Sequence, residues 1–148
     1  MLTIIEKVLL LQEVDIFENT TTQDLALIAA ITEEYSYETD QVIYSEGDAS
    51  DSMFVVVSGM VKLSHTGKTL LDAGKKSVFG TWALFDDEPR VVTATVQETA
   101  HLLRIDRDDF YELLSDHIHI TQGIMKTMSK RLRRLIERVR ADIPAPGV

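Results

Sequence analysis

The sequence of 148 residues contains no cysteine, which excludes disulfide bonds, thiolate metal sites and cysteine nucleophiles. Long hydrophobic runs are also missing, since no stretch approaches the roughly 20 apolar residues needed to span a bilayer. The amino-terminal segment is apolar, but Glu6 and Lys7 interrupt it, and it lacks the basic start and the cleavage site of a signal peptide. We therefore expect a cytoplasmic protein with no transmembrane segment in this chain.

Positive charge is scarce over most of the chain and concentrated at its end. Residues 1–120 contain 8 lysines and arginines against 22 aspartates and glutamates, whereas residues 121–148 contain 7 against 2. The acidic body disfavours nucleic-acid binding, because phosphate contacts require lysine and arginine. The basic end is typical of a solvated helix face, and a nucleic-acid arm is the alternative. We expect no direct nucleic-acid partner.

The remaining composition, with 45% apolar and 26% charged residues, is that of an ordinary globular protein. The length predicts a single domain over residues 1–148. Apolar residues recur at helical spacing in a lead-in over residues 1–34, where a threonine before residue 24 caps the second helix. Helical patterns return over residues 107–140, with Asp106 or Asp108 as the first cap, and a short tail follows at 141–148.

Between these helical segments, residues 35–106 alternate short apolar runs with turn residues. The runs predict strands at residues 41–44, 52–57, 60–65, 69–71, 93–96 and 101–105. Dipeptides that favour turns separate them, namely Gly47-Asp48, Ser58-Gly59, Thr66-Gly67 and Ala73-Gly74. Short strands at regular spacing are typical of a sandwich or barrel, so we predict an α+β fold with the order helix, β-roll, helix.

Four motifs follow one another along this region. Residues 46–54 are similar to an E-G-D-x-x-D-x-h-Y/F turn and strand, and residues 59–62 to a G-x-V stretch. Residues 79–84 and 89–93 are similar to the two halves of a phosphate-binding cassette, F-G-E-h-A-L and P-R-x-x-T, and residues 105–110 fit the segment that closes the roll. Together they resemble the cyclic nucleotide-binding domain family, as in catabolite activator protein and the regulatory subunits of cyclic-AMP-dependent kinase. The resemblance covers roughly residues 11–138. It implies an eight-stranded antiparallel β-roll, jelly-roll-like, flanked by amino-terminal helices and a long carboxy-terminal helix.

The resemblance also implies a ligand site in the cassette. A buried phosphodiester must be paired and hydrogen-bonded, and the planar donor fork of Arg90 suits it. Gly80 allows a tight turn, after which a short helical turn directs backbone N–H groups at the anion. The alternative is a surface Arg90 that pairs with Asp86, Asp87 or Glu88. The implied ligand is cyclic AMP or cyclic GMP, with no other cofactor, and the implied ligand-binding residues are Phe79, Gly80, Thr81, Trp82, Ala83, Arg90, Val91, Val92 and Thr93.

The last helix carries a seam of apolar residues that follow Thr121 at spacings of four and three, namely Met125, Met128, Leu132, Leu135 and Val139. This spacing is the heptad pattern of a coiled coil and predicts a parallel homodimer. Packing of the seam on the chain's own roll is the alternative. Basic residues flank the seam and are expected to be solvated, namely Lys130, Arg131, Arg133, Arg134, Arg138 and Arg140.

No arrangement of residues indicates catalysis or a metal site, so we do not expect an enzyme. His117 and His119 are two residues apart with no third ligand nearby, and no nucleophile elbow occurs. The leading hypothesis is a sensory domain that binds an anionic nucleotide and signals through its carboxy-terminal helices to an effector or a larger parent protein. One alternative is a ligand-free module for dimerisation or docking, for example in a transporter. Another is part of a transcription regulator without its DNA-binding domain.

Thr81 departs from the family pattern, and a prediction follows from it. The family's glutamate at this position holds the ribose 2′-hydroxyl, so its replacement implies weak cyclic-AMP affinity, micromolar or poorer. Because a hydrogen bond to a charged group contributes about 1.5–3 kcal/mol, Thr81→Glu should tighten binding roughly tenfold to 150-fold. Calorimetric titration measures both affinities, and nanomolar binding by the unsubstituted chain would contradict this interpretation.

Overall fold

Helices flank a rolled antiparallel sheet in the computed structural model, which describes residues 1–142. The amino-terminal part comprises α1 (Ile4–Leu11), a 3₁₀ turn at Asp15–Phe17 and α2 (Thr22–Ala30). The strands are β1 (Glu33–Tyr37), β2 (Val42–Tyr44), β3 (Ser52–His65), β4 (Lys68–Ala73), β5 (Val78–Phe79) and β6 (Thr93–Asp106). A second 3₁₀ turn between β5 and β6, here called the cassette turn, spans Thr81–Leu84, and the chain continues into α3 (Arg107–Asp116) and α4 (Ile118–Asp142).

Side-chain caps fix where α2 and α3 begin. The Thr21 hydroxyl accepts a hydrogen bond from the Asp24 N–H and so caps α2. The Asp106 carboxylate accepts from the N–H groups of Asp108 and Asp109, so Asp106 is the cap of α3. Each cap satisfies N–H groups that have no partner inside the helix. The threonine and aspartate caps expected from the sequence are confirmed.

Two strands of 14 residues each, β3 and β6, form the frame of the sheet. They pair antiparallel from Ser52 opposite Asp106 to Ser64 opposite Thr93. Each long strand carries two short strands as well: β1 and β2 pair with β6, whereas β4 and β5 pair with β3. A turn at Thr66-Gly67, where both residues have positive φ, joins β3 to β4.

The described residues form six strands instead of the eight expected, although the α+β class and the antiparallel arrangement are confirmed. The segments 52–57 and 60–65 belong to one strand, and 93–96 and 101–105 belong to another. Ser58-Gly59 was expected to be a turn. Gly59 has a φ of 90°, and the register between β3 and β6 shifts on both sides of it. A β-bulge therefore bends a continuous strand at the point where the sequence suggests a break.

Two predicted boundaries differ from the observed ones by one or two residues. β1 begins at Glu33, so the helical lead-in ends before residue 34. At the other end, α4 continues to Asp142, two residues beyond the predicted limit of 140, and the rest of the predicted tail, 143–148, lies outside the described residues. No helix within residues 1–142 is both long enough and apolar enough to cross a membrane.

Residues 52–56 of β3 are buried on both faces of the sheet, between two hydrophobic clusters. Met53 and Val55 belong to the cluster between the sheet and the helices. Phe54 and Val56 belong to the cluster inside the roll, together with Phe79, which immediately precedes Gly80 and the cassette turn. Alternate residues of β3 thus face opposite clusters, which explains its unbroken apolar run.

The bulge at Gly59 generates a stability prediction, with Gly67 as a matched control. Their φ angles are 90° and 80°, so an alanine at either position costs about 1–2 kcal/mol of backbone strain. A Cβ at Gly59 would overlap the Thr99 carbonyl and lie 2.6 Å from the Cα of Ala100, whereas a Cβ at Gly67 has no neighbour within 4 Å. In urea titrations we expect Gly59→Ala to lower the free energy of unfolding by more than about 3 kcal/mol, and Gly67→Ala by about 1–2 kcal/mol. Equal losses would show that the close contact with β6 does not matter.

Candidate functional site

A cavity of about 720 Å³ opens between the cassette turn, the chain that leads into β6, and the end of β2. Its size lies within the range of small-molecule sites in proteins. Most of its surface is apolar, and one buried cation, Arg90, contributes to it. The lining residues are Tyr44, Ser50, Gly80, Thr81, Trp82, Ala83, Asp86, Glu88, Pro89, Arg90, Val91 and Val92.

Gly80 allows the guanidinium to approach the backbone of the cassette turn. Its φ is 74°, a conformation that favours glycine, and the Ala83 N–H donates to its carbonyl at 3.1 Å. A Cβ at this position would lie 2.7 Å from Nη1 of Arg90. The short helical turn expected here is confirmed at Thr81–Leu84.

Arg90 lies almost entirely inside the protein, with 6% of its side chain exposed. Its Nη2 donates to the Ser52 carbonyl at 2.7 Å, and its Cζ lies 4.0 Å from the centroid of the Tyr44 ring. A carboxylate oxygen of Asp51 lies 3.9 Å from Nη2, beyond hydrogen-bond distance. Among the described residues, the buried Nε of Arg90 has no hydrogen-bond partner. The site therefore holds a buried cation with unused donor capacity.

Burial dominates the electrostatics of this pair of side chains. It lowers the pKa of the Arg90 guanidinium below its ordinary value, while Tyr44 and Asp51 act in the opposite direction. Burial likewise raises the pKa of Tyr44, and Arg90 opposes that shift. A guanidinium stays protonated at neutral pH in spite of such a shift. Among the described residues, the one carboxylate within ion-pair distance of this buried charge belongs to Asp51, which is 61% exposed.

The alternative that Arg90 is a surface residue paired with the three acids before it was wrong. Within the part of the chain that the structure describes, its one ion-pair partner is Asp51. The Asp86 carboxylate instead accepts from the Glu88 N–H, and the Glu88 carbonyl accepts from the Ser50 hydroxyl at 2.7 Å. These contacts fold the acidic segment along the rim of the cavity and leave the guanidinium inside.

Seven of the nine predicted ligand-binding residues line the cavity: Gly80, Thr81, Trp82, Ala83, Arg90, Val91 and Val92. The other two do not. Phe79 packs its ring 5.2 Å from that of Phe54 and belongs to the roll interior. The Thr93 hydroxyl accepts a hydrogen bond from the Glu46 N–H at 3.0 Å and so holds the loop after β2.

Sequence reasoning missed five lining residues, namely Tyr44, Ser50, Asp86, Glu88 and Pro89. Ser50 lies within the motif at residues 46–54, and Asp86, Glu88 and Pro89 lie within the cassette. Their position in these motifs could have identified all four as candidate lining residues. Tyr44 carried no such signal, because it lies in β2, far from Arg90 in sequence, and only the fold brings its ring to Arg90.

The predicted dimer seam lies on a different side of α4 from its buried face. The buried residues of α4 are Ile120, Gly123, Ile124 and Thr127. The seam residues are exposed by 63% (Met125), 37% (Met128), 59% (Leu132), 56% (Leu135) and 58% (Val139). Two flanking arginines expected to be solvated form ion pairs, Arg131 with Asp15 at 3.5 Å and Arg134 with Glu18 at 3.8 Å. Met128, Leu132 and Leu135 line a second cavity opposite Val14, Val78 and Phe85 of the chain's own body. The apolar stripe on α4 thus borders this cavity and stays largely exposed.

The sequence profile described as the cyclic nucleotide-binding domain matches residues 34–117, more than half of the chain. The CRP-like cAMP-activated global transcriptional regulator of Mycobacterium tuberculosis is 23% identical over 144 residues, which cover 91% of this chain and 64% of the relative. Rap guanine nucleotide exchange factor 3 of Homo sapiens is 30% identical over 115 residues, which cover 76% of this chain and 12% of the relative. The chain spans less than two thirds of the length of these curated relatives.

One solved structure with a similar fold is the N-terminal domain of a transcriptional regulator from Streptomyces coelicolor A3(2). It superposes with a TM-score of 0.81 at 25% sequence identity, and the match covers 85% of this chain and 94% of that structure.

Proposed function

This chain belongs to the cyclic nucleotide-binding domain family, and we propose that it is a non-catalytic regulatory module whose cavity binds cyclic AMP or cyclic GMP. In this proposal Arg90 binds the cyclic phosphate, and the state of the cavity reaches an effector or the rest of a larger protein through α3 and α4. The cytoplasmic location expected from the sequence stays a prediction.

The buried guanidinium of Arg90 carries the proposal. Burying a charge is costly unless the charge is paired and hydrogen-bonded. Here, within the described residues, the Nε donor has no partner, and the one carboxylate within 4 Å belongs to Asp51, which is 61% exposed. A cyclic phosphodiester at this point would supply both an acceptor for Nε and a compensating negative charge. The anion would then raise the lowered pKa of Arg90 towards its ordinary value.

The other lining residues support a ligand that is part apolar and part polar. Tyr44, Val91 and Val92 give apolar surface to the cavity, and the ring of Trp82, 71% exposed, gives more at its rim. Asp86 and Glu88 also contribute to the lining and would repel a phosphate, which favours its placement at Arg90. Thr81 supplies a neutral hydroxyl to the lining, in keeping with the weak affinity predicted from the sequence.

Arg90→Met tests the phosphate site, because methionine keeps the apolar volume and removes the charge. Losing a charge-assisted hydrogen bond to the ligand should weaken cyclic-nucleotide binding by roughly tenfold to 150-fold in calorimetric titrations. The free energy of unfolding should change by less than about 1.5 kcal/mol, since the lost bond to the Ser52 carbonyl is offset by the relief of a buried charge.

Arg133→Met on the exposed side of α4 makes the same change of charge away from the cavity and should leave the affinity unchanged. Equal affinities for the unsubstituted chain and Arg90→Met would place the nucleotide elsewhere. If the unsubstituted chain binds neither cyclic AMP nor cyclic GMP, the nucleotide proposal is wrong and the ligand-free module remains.

The exposed stripe on α4 favours a second role, self-association. Four of its five residues, at positions 125, 132, 135 and 139, expose more than half of their surface, and Ile136 beside them is 55% exposed. A continuous apolar stripe of heptad spacing on a basic helix is typical of a helix that packs against a second copy. We therefore propose a parallel homodimer through α4 in addition to ligand binding.

Leu132→Glu combined with Leu135→Glu tests the dimer. Both side chains are exposed in the single chain, so the double substitution should leave its melting temperature nearly unchanged. It should abolish the dimer, because carboxylates would be buried without partners in the interface. Light scattering across a concentration series measures the mass. The matched control is Lys126→Gln with Arg133→Gln, which makes the same change of net charge at exposed positions away from the stripe. A monomeric unsubstituted chain at high concentration would overturn the proposal.

A further inference from the structure

Arg107, the first residue of α3, contacts two loops beside the cavity at once. Its Nη1 donates to the carbonyl oxygens of Asp86, Ser50 and Ala83 at 2.6, 2.9 and 3.2 Å. Its backbone N–H donates to the Asp51 carbonyl at 2.8 Å. All three residues bound by Nη1 line the cavity, whereas Arg107 lies behind them.

These contacts close the carboxyl end of the cassette turn. The last carbonyl groups of a helical turn have no partner inside it, and the partial negative charge at that end favours a cation. Ala83 belongs to the cassette turn, and the Asp86 N–H, which donates to the Trp82 carbonyl, extends the same winding by two residues. One charged nitrogen therefore binds the end of the turn and, through Ser50, the loop before β3.

We propose that Arg107 is a positioning residue for the ligand site. It fixes the cassette turn to α3 and to the loop before β3, and so sets the shape of the cavity without contacting the ligand. The identity of the ligand rests on the proposed function, but the tether itself does not. Because Arg107 begins α3, the same bonds join the cavity wall to the helices that follow.

The experiment compares Arg107→Met, Arg107→Lys and the unsubstituted chain. Methionine removes every donor, whereas lysine keeps the charge on a stem shorter by one bond and reaches fewer of the three carbonyls. Arg134→Met removes an exposed arginine that pairs with Glu18 and serves as the control for lost charge. Amide hydrogen exchange followed by mass spectrometry reports on residues 81–88 in the free protein, and calorimetry with cyclic AMP and cyclic GMP reports on binding.

We expect Arg107→Met to accelerate exchange at residues 81–88 while β1 and the pairing of β3 with β6 keep their protection. Binding should weaken by about 5-fold to 150-fold, the usual range of coupling between a ligand and a group that does not touch it, with Arg107→Lys in between and Arg134→Met unchanged. Unchanged exchange at 81–88, or faster exchange in every segment alike, would overturn the proposal. If the unsubstituted chain binds nucleotide and Arg107→Met binds it with equal affinity, the proposal is also overturned.

If the unsubstituted chain binds neither nucleotide, the proposed function fails on its own. The exchange measurement then decides for Arg107 alone: local acceleration supports the tether, and no acceleration overturns it. Should Arg107→Met fail to fold, Arg107→Lys supplies the same comparison of local exchange and affinity.

Discussion

The antiparallel pairing of β3 with β6 is the constraint on which the rest of the structure depends. Both strands run the length of the sheet, and every other strand pairs with one of them. The chain between β5 and β6 is fixed at both ends, because Phe79 pairs opposite Phe54 and Thr93 pairs opposite Ser64. The intervening residues, 80–92, must therefore project from the sheet. They form the wall of the cavity, so the strand pairing dictates where a ligand site can exist.

Two arginines contact that wall, and their guanidinium groups differ in how many of their donors have acceptors. Arg90 lies inside it, where its charge is incompletely balanced and is available to an anion. Arg107 lies behind it, where its Nη1 donates hydrogen bonds to three backbone carbonyls. The same residue type thus has an unpartnered donor at one position and holds backbone segments together at the other. The difference comes from the acceptors already present around each guanidinium, since three carbonyl groups accept from Nη1 of Arg107, whereas Nε of Arg90 has no acceptor among the described residues.

One side of the long helix α4 packs against its own chain, and an adjacent side carries the exposed apolar stripe. Gly123 allows it to pack closely on the loop before α2, since a Cβ there would lie 2.6 Å from the Asn19 carbonyl oxygen. Asn19 strengthens this contact by donating to the Thr127 hydroxyl at 2.9 Å. Ion pairs of Arg131 and Arg134 extend the attachment along the helix. The apolar stripe on the adjacent side stays exposed, so the attachment of α4 to its own chain leaves this stripe uncovered.

The sequence by itself determined the order of elements, the caps at Thr21 and Asp106, the fold class and most of the cassette, because these depend on local pattern and on motifs contiguous along the chain. The tertiary structure alone decided the continuity of β3 through Gly59, since a glycine with positive φ suits a turn and a bulge equally well. It also placed Phe79 in the roll interior, brought Tyr44 against Arg90, and gave Arg107 its three carbonyls. These outcomes depend on contacts between segments far apart in sequence, and no local periodicity records which distant residue fills a given space.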